Sequence, residues 1–160
     1  MKKIVNEILK ISNRIYKELG SGFPENIYQN ALAIELRRAK IEYLKEVNIE
    51  IFYRNESIGA DRPDFILLPC KAKPFSIKSP IVIEMKITNK LTDDNKQQLK
   101  SYFSSFPKNN SPSLKDITHG ILLKFPKVEE SVAAKDEIRI VEVELYEYNP
   151  KTKKMSAIEL

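Results

Sequence analysis

The chain has 160 residues, 42% of them hydrophobic, and a formal net charge of +5 at pH 7. That length suits a single domain with one core, and the mild basic excess is compatible with a polyanionic partner without establishing one. One cysteine, Cys70, excludes an intrachain disulfide framework, a multi-cysteine zinc site and an iron–sulfur cluster held by this chain.

Residues 2–19 place Ile4, Ile8, Ile11, Ile15 and Leu19 on one face of a helix, which Gly20-Ser21-Gly22 ends. Asn6, Glu7, Lys10, Ser12 and Asn13 interrupt any signal-peptide core. No stretch is apolar for long enough to cross a bilayer, so the expected location is intracellular, in the cytoplasm. A second helix is expected from Pro24, since proline suits a first helical position. Tyr28, Leu32 and Leu36 form one apolar row, with Ile27, Ala31 and Ile34 beside it. Glu25 falls in the first turn, where an acid complements the helix dipole.

After Lys40 the period changes to two. Val47, Ile49, Ile51 and Tyr53 alternate with polar residues, and Arg54–Ser57 makes a turn into a strand over 58–68. Pro63 has no amide donor and marks a bend immediately before Asp64. Residues 69–80 hold three prolines and three lysines and read as a loop or an elaborated hairpin tip. Lys71, Lys73 and Lys78 there suit phosphate contact and a solvated loop equally. The next strand, 81–88, buries Ile81, Ile83, Met85 and Ile87, and projects Glu84 and Lys86 together from the other face.

Thr92 caps a third helix with Asp93 and Asp94 in its first turn. Leu99, Tyr102, Phe103 and Phe106 face the core, and Gln98 lies one turn before Tyr102 on the same side. Residues 107–116 read as a polar loop, 117–125 and 137–148 as strands, and 149–153 as a turn into a closing strand at 155–159. His119 is the only histidine, so a histidine-based triad has thin support. The order ααβββαββ(β) predicts an α/β (α+β) sandwich, a mixed central sheet flanked by helices. We expect one domain over 1–160, with its core at about 8–125 and a C-terminal strand or hairpin extension over 126–160.

An acid and a lysine side by side on an apolar strand suit phosphodiester hydrolysis, because acids collect a hard cation and the lysine supplies charge beside the attacking water. Glu-x-Lys alone is weak evidence, since 138–145, IRIVEVEL, shows that any half-wet strand produces such alternation. Pro63-Asp64, Glu84-Met85-Lys86 and Gln98-x-x-x-Tyr102 together resemble the PD-(D/E)xK nuclease superfamily, the last like the Gln-x-x-x-Tyr of its recombination-type exonucleases. Gly22-Phe23-Pro24-Glu25-Asn26-Ile27-Tyr28 is similar to the Gly-x-x-Glu-x-x-Tyr of the GxxExxY branch. The flanking words KELGSGFPENIYQNALAIELRRAKI and GILLKF extend that resemblance over about 8–125.

The resemblance implies a restriction-endonuclease-like core and a Mg²⁺-dependent nuclease acting on DNA, with Mn²⁺ as a substitute. Asp64, Glu84 and the Met85 backbone carbonyl would bind the metal, with Glu25 assisting. Lys86 would orient or deprotonate the attacking water, Gln98 would position water or a strand, and Tyr102 would brace the metal site. Tyr28 is expected to pack, with its hydroxyl bracing the site, and Asp61 is assigned no role. Two departures stand out. Residues 69–80 replace a short turn, and Asn95 stands where many relatives carry histidine, so no role for that histidine carries over. A non-cleaving nucleic-acid-binding or assembly module on the same fold is the alternative. Endonuclease or exonuclease action, substrate form and homodimerisation stay open.

Overall fold

The computed structural model describes residues 1–72, 75–127 and 140–160. Its centre is a six-stranded sheet ordered β1-β4-β7-β8-β9-β10, built from β1 (Tyr43–Lys45), β4 (Phe65–Leu67), β7 (Ile81–Ile87), β8 (His119–Phe125), β9 (Glu142–Asn149) and β10 (Lys154–Ile158). β7 and β8 run parallel and the other neighbours antiparallel, so the sheet is mixed as expected. Helices α1 (Lys2–Leu19) and α2 (Glu25–Arg38) cover one face, and α3 (Asp93–Ser105) covers the other.

Helix α1 buries Ile4, Val5, Ile8, Ile11 and Ile15, the stripe its spacing predicts. The chain then reverses through Gly20 and Gly22, whose φ angles of 71° and 102° suit glycine. Pro24 is the cap of α2 rather than its first helical residue, so the helix starts one position later than predicted, at Glu25. The buried face of α2 differs from the reading above. Tyr28, Leu32 and Leu36 are buried, but the row beside them is Gln29 and Ala33, while Ile27 and Ile34 are exposed. The helix is rotated to bring an amide, rather than an isoleucine, toward the sheet.

The predicted strand over 58–68 is two strands in two sheets. β3 (Glu56–Asp61) pairs with β2 (Ile49–Tyr53) in a separate hairpin, and β4 resumes at Phe65. Buried Pro63 sits at the break, where the missing donor prevents the ladder from running through. Within 69–80, β5 (Cys70–Ala72) pairs antiparallel with β6 (Phe75–Ile77); Lys73 lies outside the described residues. The polar loop predicted at 107–116 contains a 3₁₀ turn, Phe106–Lys108, and a short helix α4, Pro112–Lys115. The strand expected from 137 is described only from Glu142, and residues 137–139 of it lie outside the described residues.

Two local features fix α3 over the acids. Thr92 and Asn95 form a capping box, with the Thr92 N–H donating to Asn95 Oδ1 at 2.9 Å, so the Asn95 side chain is spent on the helix start. On β8, Gly120 lets α3 approach: a Cβ there would meet Leu99 Cδ1 at 2.8 Å and Phe103 Cζ at 2.9 Å. Leu99, Tyr102, Phe103 and Phe106 accordingly fill the core on that face.

Candidate active site

β4 ends its pairing with β7 at Phe65 opposite Ile83, so the edge of β7 beyond Ile83 faces no strand on that side. Strand residues alternate the edge to which their backbone groups point. The Thr88 N–H donates to Phe125 on β8, and the Met85 N–H points the other way, to Asp64 Oδ2 at 2.7 Å. The Met85 carbonyl shares that orientation and faces the same open edge. Asp64, raised there by the break at Pro63, thus replaces a strand as the partner of β7.

Five further hydrogen bonds link the residues around this edge in two sets, Glu25–Gln29–Asp64 and Lys86–Glu84–Tyr102–Gln98. Gln29 Nε2 donates to Asp64 Oδ1 at 2.7 Å and to Glu25 Oε1 at 3.3 Å. Lys86 Nζ donates to Glu84 Oε1 at 2.6 Å, and the Tyr102 hydroxyl donates to Glu84 Oε2 at 3.2 Å. Gln98 Nε2 in turn donates to the Tyr102 hydroxyl at 2.8 Å. Asp64, Glu84, Lys86, Tyr102 and Gln98 are therefore brought together. Glu25 stands further out, partly exposed, with Gln29 between it and Asp64. Among the described residues no three acids, histidines or cysteines close on a single point.

One expected residue, Tyr28, lies elsewhere. The Tyr28 hydroxyl donates to the Gly20 carbonyl at 2.7 Å and closes the α1–α2 turn, with its ring packed on Phe125, so it does not brace the acids. Asp61 accepts the Arg62 N–H on the separate hairpin, though its charge reaches Tyr102. His119 pairs with Ile81, at the opposite end of β7 from Lys86.

Burial and mutual repulsion govern the protonation of the acids. Asp64 is pushed up to about 7, first by burial and then by the negative charge of Glu84, against the pull of the Met85 N–H. Burial also raises Glu84, and Lys86 offsets part of the rise. Burial works against the charge on Lys86, but the Glu84 carboxylate outweighs it and holds the ammonium above its ordinary pKa. Burial, then the charge of Glu84, raises Tyr102 and keeps it a neutral donor. Two buried carboxylates that resist joint ionisation, beside a carbonyl facing the same edge, form an all-oxygen donor set. That chemistry fits a hard divalent cation such as Mg²⁺ or Mn²⁺.

Gln29 was missed in the sequence because the apolar row of α2 was read on its neighbours. The available signal was the spacing of Glu25 and Gln29, one turn apart on one face. Its amide uses one nitrogen to hold two carboxylates that would otherwise separate. Gln29→Ala is expected to weaken Mn²⁺ or Mg²⁺ affinity about tenfold or more, as loss of a ligand's orienting partner does. Calorimetric titration measures this, and unchanged affinity would make Gln29 a packing residue.

A family model described as the PD-(D/E)XK nuclease superfamily matches residues 2–136. No curated protein and no solved structure matches the chain.

Proposed function

The chain belongs to the PD-(D/E)XK nuclease superfamily, and on that membership and the geometry of its acids we propose that it is a divalent-metal-dependent nuclease hydrolysing phosphodiester bonds in DNA. The observation that carries the reading is the pairing of buried Asp64 and Glu84 with the Lys86 ammonium 2.6 Å from Glu84. Gly22, Glu25 and Tyr28 support placing it in the GxxExxY branch. Among the described residues no helix is long and apolar enough to cross a membrane.

Asp64, Glu84 and the Met85 carbonyl would hold Mg²⁺ or Mn²⁺, with Glu25 assisting from the outer side of Gln29. When bound, the metal supplies charge stabilisation at phosphoryl oxygen and a more acidic water. The protein's own groups do the rest. Lys86, held above its ordinary pKa in the metal-free protein, would orient or deprotonate the attacking water and offset charge on the phosphorane. Tyr102 fixes the carboxylate plane of Glu84 through Oε2, and Gln98 orients the Tyr102 hydroxyl. Half-exposed Gln98 is the member of this group placed to meet water or a DNA strand.

The test compares two neighbouring acids. Asp64→Asn should abolish Mg²⁺-dependent nicking of plasmid DNA and weaken metal binding about tenfold or more, whereas Asp61→Asn should leave metal binding intact. Loss of metal binding in Asp61→Asn alone would move the site to the β2–β3 hairpin and overturn this assignment.

A further inference from the structure

The acid–base pair of β7 continues across the sheet. Lys86 and Lys124 are register partners on parallel β7 and β8, and Lys124 and Glu142 are partners on β8 and β9. Register partners project from the same face, so these side chains form one row beside Glu84. Lys124 Nζ donates to Glu142 Oε1 at 2.7 Å and to the Asn89 carbonyl at 3.2 Å. The row therefore reads Glu84–Lys86–Lys124–Glu142, two ion pairs back to back with their cations adjacent.

This is an expensive arrangement for structure alone. Like charges on neighbouring strands oppose sheet formation, and a buried ion pair rarely improves on apolar side chains of similar size. Leu122, two residues earlier on the same face, shows that an apolar solution fits there. The two pairs also differ in their exposure. The side chain of Lys124 is 9% exposed, but that of Glu142 is 57% exposed, so the carboxylate can turn to solvent once another anion takes its place on the buried ammonium. Glu84, at 3%, has no such freedom.

We propose that Lys124 is a second phosphate-binding cation, held by Glu142 until a nucleic-acid phosphate displaces that carboxylate. It takes the phosphodiester next to the one at Glu84–Lys86. Adjacent strands lie about 4.8 Å apart, so the two lysine side chains start from neighbouring positions on one face of the sheet. No covalent step is involved; one anion replaces another on the same three-donor ammonium. The inference rests on the nuclease reading, and it adds a residue and an exchange that the reading does not contain.

Fluorescence anisotropy of labelled DNA, single-stranded and duplex, in Ca²⁺ at several salt concentrations tests it. Lys124→Met should bind about tenfold more weakly, as loss of a charge-assisted bond predicts. Its slope of log affinity against log salt should be shallower by about 1. Glu142→Gln should bind more tightly, on the order of fivefold beyond the charge-matched control Glu147→Gln, because only Glu142 competes for Lys124. The double variant Lys124→Met/Glu142→Gln should show no such gain over Lys124→Met. Equal gains in Glu142→Gln and Glu147→Gln, or an unchanged slope in Lys124→Met, would make the pair structural and overturn the inference while leaving the nuclease reading standing. Wild-type protein that binds neither DNA would overturn both.

Discussion

Glu84→Gln is expected to abolish Mg²⁺-dependent cleavage and yet to leave the metal-free protein at least as stable as wild type, with a melting temperature at pH 8 higher by about 2–4 °C. In the metal-free protein Asp64 and Glu84 are buried together, and each makes ionisation of the other harder. Between the ordinary carboxylate value of 3.8 and about 7, folded Asp64 holds a proton that the unfolded chain has released. Stability from this group is therefore fully present below 3.8, falls as pH rises through that window, and is lost above about 7. The glutamine removes one of the two competing charges, keeps an acceptor for the Tyr102 hydroxyl, and sacrifices the ion pair with Lys86. Excess Mg²⁺ should stabilise wild type, because it binds only the folded site, and should stabilise Glu84→Gln far less. Wild-type Mg²⁺ affinity should climb with pH through about 7 and then level off, as the metal no longer competes with the Asp64 proton. Thermal melts in EDTA and in excess Mg²⁺ from pH 5 to 8 measure all of this. A wild-type melting temperature that ignores Mg²⁺, together with simple destabilisation by Glu84→Gln, would mean the acids are not a metal site.

Lys86→Ala separates binding from chemistry in the opposite direction. Cleavage should fall by about 10²- to 10⁴-fold, the range for a side chain acting at the reacting water or its developing charge. Metal stabilisation should survive, since the carboxylates and the Met85 carbonyl remain. The metal-free variant should be less stable than wild type at pH 8, because the buried Glu84 carboxylate loses the cation 2.6 Å away. Single-turnover cleavage and the same melts decide between roles. Were Lys86→Ala to cleave normally while losing metal stabilisation, Lys86 would be an anchor for Glu84 and nothing more.

The strand that carries these residues was legible because its chemistry is local. A period of two assigns Glu84 and Lys86 to one face and Ile81, Ile83 and Met85 to the other, wherever the strand is placed. Pro63 announces a bend by its missing donor, and Thr92 a helix start by its side-chain oxygen; neither depends on distant contacts. The same locality explains the errors on α2 and over 58–68. Two adjacent rows of α2 are both plausible core faces, and only the packed sheet selects Gln29 and Ala33 over Ile27 and Ile34. A bend at Pro63 likewise does not reveal that the two flanking strands enter different sheets.

The sequence by itself determined the mixed fold class, the helices at 2–19 and from 93, and which acids, lysine, glutamine and tyrosine were candidates. Periodicity and capping encode the elements through bonds between near neighbours, and the candidates follow from the motif resemblance. Only the tertiary structure decided how the candidates meet. It placed Asp64 at the bare edge of β7, Gln29 between Glu25 and Asp64, the Tyr102 hydroxyl on Glu84 and the Tyr28 hydroxyl away from it. It also set Lys124 beside Lys86, a juxtaposition of residues 38 positions apart. Strand order and register arise from burial summed over the whole sheet, and no short window of sequence contains that sum.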